Sequence, residues 1–115
     1  MEFYEVGNNM KIMYNKLVRD GIPQIINDEG KIATTRRLAN RELIQALVAK
    51  LGEEGEEYLE SMAAEEIADI LEVVYGIISA SGESIENIEL IRSRKKEERG
   101  GFSEGIFLES VESNN

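Results

Sequence analysis

Four carboxylates set two by two are the residues of this chain best placed to do chemistry: Glu54 and Glu57, then Glu66 and Asp69. Each pair is spaced i, i+3, so both members lie on one side of a helix. At about 100° per residue, Leu43, Leu47, Leu51 and Tyr58 form an apolar stripe with Glu54 in its middle and Glu57 at its edge. In the next periodic segment Ile67, Ile70, Val73, Val74, Ile77 and Ile78 make the apolar face, with Glu66 on it and Asp69 on its flank. Glu53, Glu56, Glu60 and Glu72 point elsewhere. A carboxylate turned toward a core must be paired, protonated or bound to a metal. No run of cations is positioned nearby to pair with four of them, so the set reads as a site for a hard divalent cation. The chain has no Cys and no His, which leaves oxygen as the only ligand atom and favours Mg²⁺, Mn²⁺ or Ca²⁺.

The elements that must carry these residues follow from the pattern. Asn40 is the expected N-cap of a long helix over about 41–60. Gly52 and Gly55 inside it cost roughly 1 kcal/mol each against Ala, and suggest the close approach of a ligand or partner helix. Ser61–Ala64 is a brief connection to a helix of about 65–81, which ends near Gly82. The breadth of its apolar surface points to burial on more than one side and to a subunit contact. Ser84 caps a third helix of about 85–99, closed by Gly100. Ahead of these, Asp20 or Gly21 starts a short helix with Pro23 in its first turn, and Gly30 ends it. The β-branched run Lys31–Leu38 reads as an extended segment, which Ile106–Val111 could pair with as a second short strand. Residues 1–12 carry little pattern and read as a flexible arm ahead of one domain over 13–112, and the final ESNN reads as loose. The expected fold is all-α: a bundle of three main helices plus a short N-terminal helix, a small two-stranded β element, and completion by oligomerisation.

The net charge of −10 over 115 residues is unevenly placed. Residues 51–91 hold twelve acidic and no basic residues, 92–115 balance five against five, and 1–50 come out at +2. A duplex nucleic-acid binder would show a basic face instead. An acidic centre facing basic segments from both ends suits a metal–phosphate ligand. No run of eighteen apolar residues suggests a membrane span, and the acidic N-terminus lacks an apolar signal core, so a cytoplasmic location is expected. There is no Gly-x-x-x-x-Gly-Lys-Ser/Thr loop and no EF-hand loop, and a His- or Cys-based triad is impossible.

The basic groups are Lys16 and Arg19 near the start, and Arg92, Arg94, Lys95, Lys96 and Arg99 near the end. Lys96 and Arg99 stand i, i+3 on a helix that opens into Gly100-Gly101, where backbone N–H groups can approach a phosphate and Arg can grip it with two donors. Lys50 lies on the same helix side as Glu54 and Glu57, and either balances them or touches phosphate. Asp20 is a cap or a site residue, and Phe102 is expected to pack in the core in preference to stacking on a base.

Glu53-Glu54-x-x-Glu57 followed by Glu66-x-x-Asp69 resembles the signature of the MazG-like all-α nucleotide pyrophosphohydrolases. Two flanking blocks resemble its phosphoribosyl-ATP pyrophosphohydrolase-like branch: Lys16-Leu17-Val18-Arg19-Asp20-Gly21-Ile22-Pro23, and Glu98-Arg99-Gly100-Gly101-Phe102. The likeness spans about residues 13–112. It implies a Mg²⁺-dependent (or Mn²⁺-dependent) hydrolase that cleaves the α–β phosphoanhydride of a nucleoside triphosphate to the monophosphate and pyrophosphate, as in nucleotide-pool house-cleaning. It also implies metal ligation by Glu54, Glu57, Glu66 and Asp69, phosphate contacts from Lys16, Arg19, Lys96 and Arg99, and a homodimer or homotetramer. Glu53 either positions the attacking water or faces solvent. One departure from the wider superfamily is the interval of only eight residues between Glu57 and Glu66, which demands a tight inter-helix turn. Phosphoribosyl-ATP is the alternative substrate, and a non-catalytic acidic helical module is the reading from a different class.

Overall fold

A computed structural model describes residues 2–7 and 9–113. The elements run β1 (Glu2–Val6), β2 (Asn9–Met13), α1 (Ile22–Asp28), α2 (Asn40–Ser61), α3 (Ala64–Ala80) and α4 (Ile85–Arg99). Among the described residues, four helices and one small antiparallel sheet make the chain mostly helical. It divides into two compact units, residues 1–82 and 83–115.

The first unit is organised by α2 and α3, which pack on one another as an antiparallel pair. Leu47 of α2 and Val73 and Ile78 of α3 are its buried apolar side chains. Gly76 sits where α3 meets α2: a Cβ there would lie 3.0 Å from Leu47 Cδ2. By contrast, a Cβ on Gly52 or Gly55 would meet nothing within 4 Å, so those glycines answer to no close approach within the chain. The second side of α3 stays open, with Ile67, Leu71 and Tyr75 each nearly half exposed at i, i+4, i+8. Two helices can shield only the stripes that face each other, and so small an apolar core is the consequence.

The turn between the helices is as tight as the short interval requires. Met62 adopts a left-handed backbone, φ 54°, and its N–H donates to the Tyr58 carbonyl at 2.7 Å to close α2. Ala63 then enters α3, its N–H bonded to Ser61 Oγ at 3.2 Å. At the other end of α2 the expected cap is displaced by one residue. Ala39 is the N-cap, and Asn40 is the first helical residue with φ 53°. Arg36 forks onto Glu42 there, at 3.1 and 3.4 Å.

The short helix α1 starts after Gly21 with Pro23 in its first turn, and Gly30 follows it with φ 80°. Asp20 makes no side-chain cap. The sheet is not where the β-branched run placed it. Residues 31–39 and 106–111 form no strand, because neither finds a partner ladder to satisfy its backbone. The strands are β1 and β2, paired Glu2↔Met13 through Val6↔Asn9, with Gly7 at φ 62° opening the turn. Gly-Asn-Asn between two runs of β-forming residues is the local hairpin signal in this segment.

The second unit is α4 and the segment after it. Ser84 Oγ accepts the Asn87 N–H at 3.0 Å, and Gly100, φ 85°, closes the helix by donating to the Lys96 carbonyl at 2.8 Å. Helix α4 has no buried residue, so Phe102 has no core to enter and is 99% exposed. Ile106, Phe107, Leu108 and Val111 are likewise exposed. Of the terminal ESNN, the last two residues fall outside the described residues. No helix is long and apolar enough to cross a membrane, among the described residues.

Two stability changes follow. Leu47→Ala should lower the unfolding free energy by about 2–3 kcal/mol, read as a lower urea midpoint at unchanged slope. Met62→Gly should raise it by up to about 1 kcal/mol, since glycine adopts the left-handed backbone without a Cβ clash; a lower midpoint would show that Met62 holds the turn by its side chain.

Candidate metal and phosphate site

The α2–α3 pair brings three of the four predicted ligands to one place. One carboxylate oxygen each from Glu54, Glu66 and Asp69 lie within 4.8 Å of one another. Oxygens that share one hard divalent cation at roughly 2.0–2.6 Å stand no more than about 5 Å apart, and the set falls within that reach. Glu66 lies in the first turn of α3, where unpaired backbone N–H groups favour negative charge. Glu57 is exposed on α2 one turn after Glu54 and is not one of the three converging residues, although it interacts with both Glu54 and Glu66.

Burial makes this arrangement costly. Glu54 is only 6% exposed, and its Oε2, like Oε2 of Glu66, is a buried oxygen with no hydrogen-bond partner. The carboxyl of Glu57 is pushed above the usual range by its hydrogen bond and charge interaction with Glu54, then by burial and by Glu66 and Glu53. Glu66 is raised by burial first, then by the charges of Asp69 and Glu54. Carboxylates gathered this closely oppose one another's ionisation unless a cation intervenes. Two unpaired oxygens, an all-oxygen donor set and the raised carboxyls of Glu57 and Glu66 together fit a hard divalent cation.

Single cations do reach the cluster, one of them Lys50 as its helix side predicts and two from outside the helices. Lys50 Nζ lies 3.3 Å from Glu54 Oε1 and 3.8 Å from Glu53 Oε1, so its role within the chain is to balance carboxylates. Lys16 Nζ donates to Glu53 Oε1 at 3.3 Å. Arg19 Nη2 donates to Asp69 Oδ1 at 2.6 Å. Lys16 and Arg19 stand 37 and 50 residues from their partners in sequence, which is why no local pattern displays these pairs. Glu53, left between water positioning and solvent, is partly buried and engaged by two lysines. Lys96 and Arg99 occupy the last turn of α4 in the second unit.

Comparison with protein-family models, with curated proteins and with solved structures gives no match.

The raised carboxyls fix a pH dependence. In the folded chain Glu57 and Glu66 hold their protons to higher pH than in the unfolded chain. Their contribution is therefore stabilising below the ordinary carboxylate range and is lost as pH rises through the raised values. The stability gap between wild type and Glu66→Gln should move against wild type between about pH 4.5 and neutrality. Thermal unfolding of both proteins in metal-free buffer across that range tests it, and a gap that does not vary with pH would refute it.

Proposed function

We propose that this chain is a Mg²⁺-dependent nucleoside triphosphate pyrophosphohydrolase that works as a homodimer or homotetramer. The observation that carries the reading is the meeting of Glu54, Glu66 and Asp69 around two buried, unpartnered carboxylate oxygens. The resemblance of three ordered sequence blocks to the MazG-like enzymes supports it, and supplies the α–β bond as the one cleaved.

Glu54, Glu66 and Asp69 would hold the ion, with Glu57 beside them. Bound Mg²⁺ supplies charge neutralisation for the polyphosphate and lowers the pKa of a coordinated water. In the reaction proposed, a water oxygen would bond to the α-phosphorus as the bond from that phosphorus to the α–β bridging oxygen breaks, leaving nucleoside monophosphate and pyrophosphate. Glu53 would help to position the attacking water and take up its proton. Lys16 and Arg19 would serve the negative charge that grows on the leaving pyrophosphate. A second copy would cover Ile67, Leu71 and Tyr75, the stripe of α3 that the chain alone leaves open.

A second reading, a non-catalytic acidic module, has the three ion-paired cations in its favour, since they account for Glu53, Glu54 and Asp69 without a metal. The unpartnered Oε2 atoms of Glu54 and Glu66 count against it.

Pyrophosphate release from a panel of canonical and modified nucleoside triphosphates, with phosphoribosyl-ATP alongside, separates these readings. Turnover should require Mg²⁺ and fall by at least about a hundredfold in Asp69→Asn and Glu54→Gln, with helical content unchanged by circular dichroism. Metal-independent turnover, or no turnover on any of these substrates at millimolar Mg²⁺, would defeat the hydrolase.

A further inference from the structure

A phosphate ligand waiting for substrate would be expected to stand free in solvent. Arg19 instead sits on a carboxylate of the acidic centre, Nη2 to Asp69 Oδ1 at 2.6 Å. Asp69 is also one of the three residues whose oxygens converge. A guanidinium and a divalent cation on one carboxylate repel each other at a few ångströms, so the two occupants of Asp69 are in competition. The pair is weak enough to yield. Both side chains are more than a third exposed, and an exposed ion pair favours its closed form by at most about fivefold. Arg19 also belongs to a stretch, residues 14–20, with no helix or strand to break. Lys50 differs on both counts: it stands on α2 itself, and its side chain is half as exposed as that of Glu53.

We propose that Arg19 is an exchangeable counter-ion. It neutralises Asp69 while the centre holds no metal, is displaced when a divalent cation binds, and is thereby freed to grip a phosphate oxyanion beside that cation. The inference rests on the metal reading of the acidic centre and adds an order to it: cation first, then phosphate. The opposite arrangement, in which Arg19 stays on Asp69 to orient it toward the metal, predicts the opposite sign in metal binding.

Calorimetric titration of the full chain with Mn²⁺ alone, and of the Mn²⁺-loaded chain with inorganic pyrophosphate, decides the matter. Arg19→Gln should bind Mn²⁺ up to about fivefold more tightly than wild type and bind pyrophosphate about tenfold more weakly. Arg19→Lys, which keeps the charge without the fork, should return Mn²⁺ affinity toward wild type but not pyrophosphate affinity. Unchanged or weaker Mn²⁺ binding in Arg19→Gln overturns the exchange, as does pyrophosphate affinity equal to wild type. Asp69→Asn separates this failure from that of the underlying reading. If wild type binds no Mn²⁺ at millimolar concentration, or Asp69→Asn binds it equally well, the metal site itself is refuted. If Asp69→Asn loses binding while Arg19→Gln matches wild type, only the exchange is.

Discussion

Glu54 is a carboxylate almost out of water, on the apolar stripe of the longest helix. Removing an ion from water costs several kcal/mol after relaxation, and a single lysine one turn away answers only one of its two oxygens. The rest of the first unit is arranged around this deficit. Helix α3 returns antiparallel after a two-residue turn, and Glu66 and Asp69 arrive at the same point. More negative charge is thereby placed where burial already opposes it, and the raised carboxyls of Glu57 and Glu66 are the electrostatic record of that crowding. A purely structural protein would be more stable with leucine at such a position. The presence of acid groups there is the physical reason to look for a cation.

The pairing cations come from two kinds of place. Lys50 is local, set by helix geometry at i, i+3 and i, i+4 from Glu53 and Glu54. Lys16 and Arg19 belong to a non-helical stretch that reaches both helices, one tied to α2 through Glu53 and the other to α3 through Asp69. This stretch therefore acts on the same residues that would hold a metal, and it links the acidic centre to α1. Such ties are weak individually and reversible, in keeping with a site that changes occupants. The buried apolar side chains of the pair, Leu47, Val73 and Ile78, take no part in these ties.

Apolar surface is left over in both units. In the first, the outer stripe of α3 is uncovered because one helix can shield only one side of its neighbour. In the second, α4 is capped at both ends and complete as a helix, yet buries nothing, and the aromatic and aliphatic side chains after Gly100 lie open. The charge is uneven too: acidic groups collect in α2 and α3, and the basic groups of the second unit all fall in the second half of α4.

Sequence alone was sufficient for whatever depends on near neighbours. The four helices followed from 3.6-residue periodicity and from Ser84, Pro23, Gly30 and Gly100 at their ends, all of which act within a turn. The inward placement of Glu54 and Glu66 was legible for the same reason. The hairpin at 2–13 had a local signal in Gly-Asn-Asn, but its strands are only five residues each, and the longer β-branched run at 31–38 was the more persuasive pattern. Strand pairing is non-local, so composition could not choose between them. Phe102 was assigned to a core by its hydrophobicity, yet a core exists only where elements meet. The pairing of Lys16 with Glu53 and of Arg19 with Asp69 was equally beyond any local pattern. Only tertiary structure brings residues 37 and 50 positions apart within a hydrogen bond, and so only it could show that the acidic centre already has cations of its own.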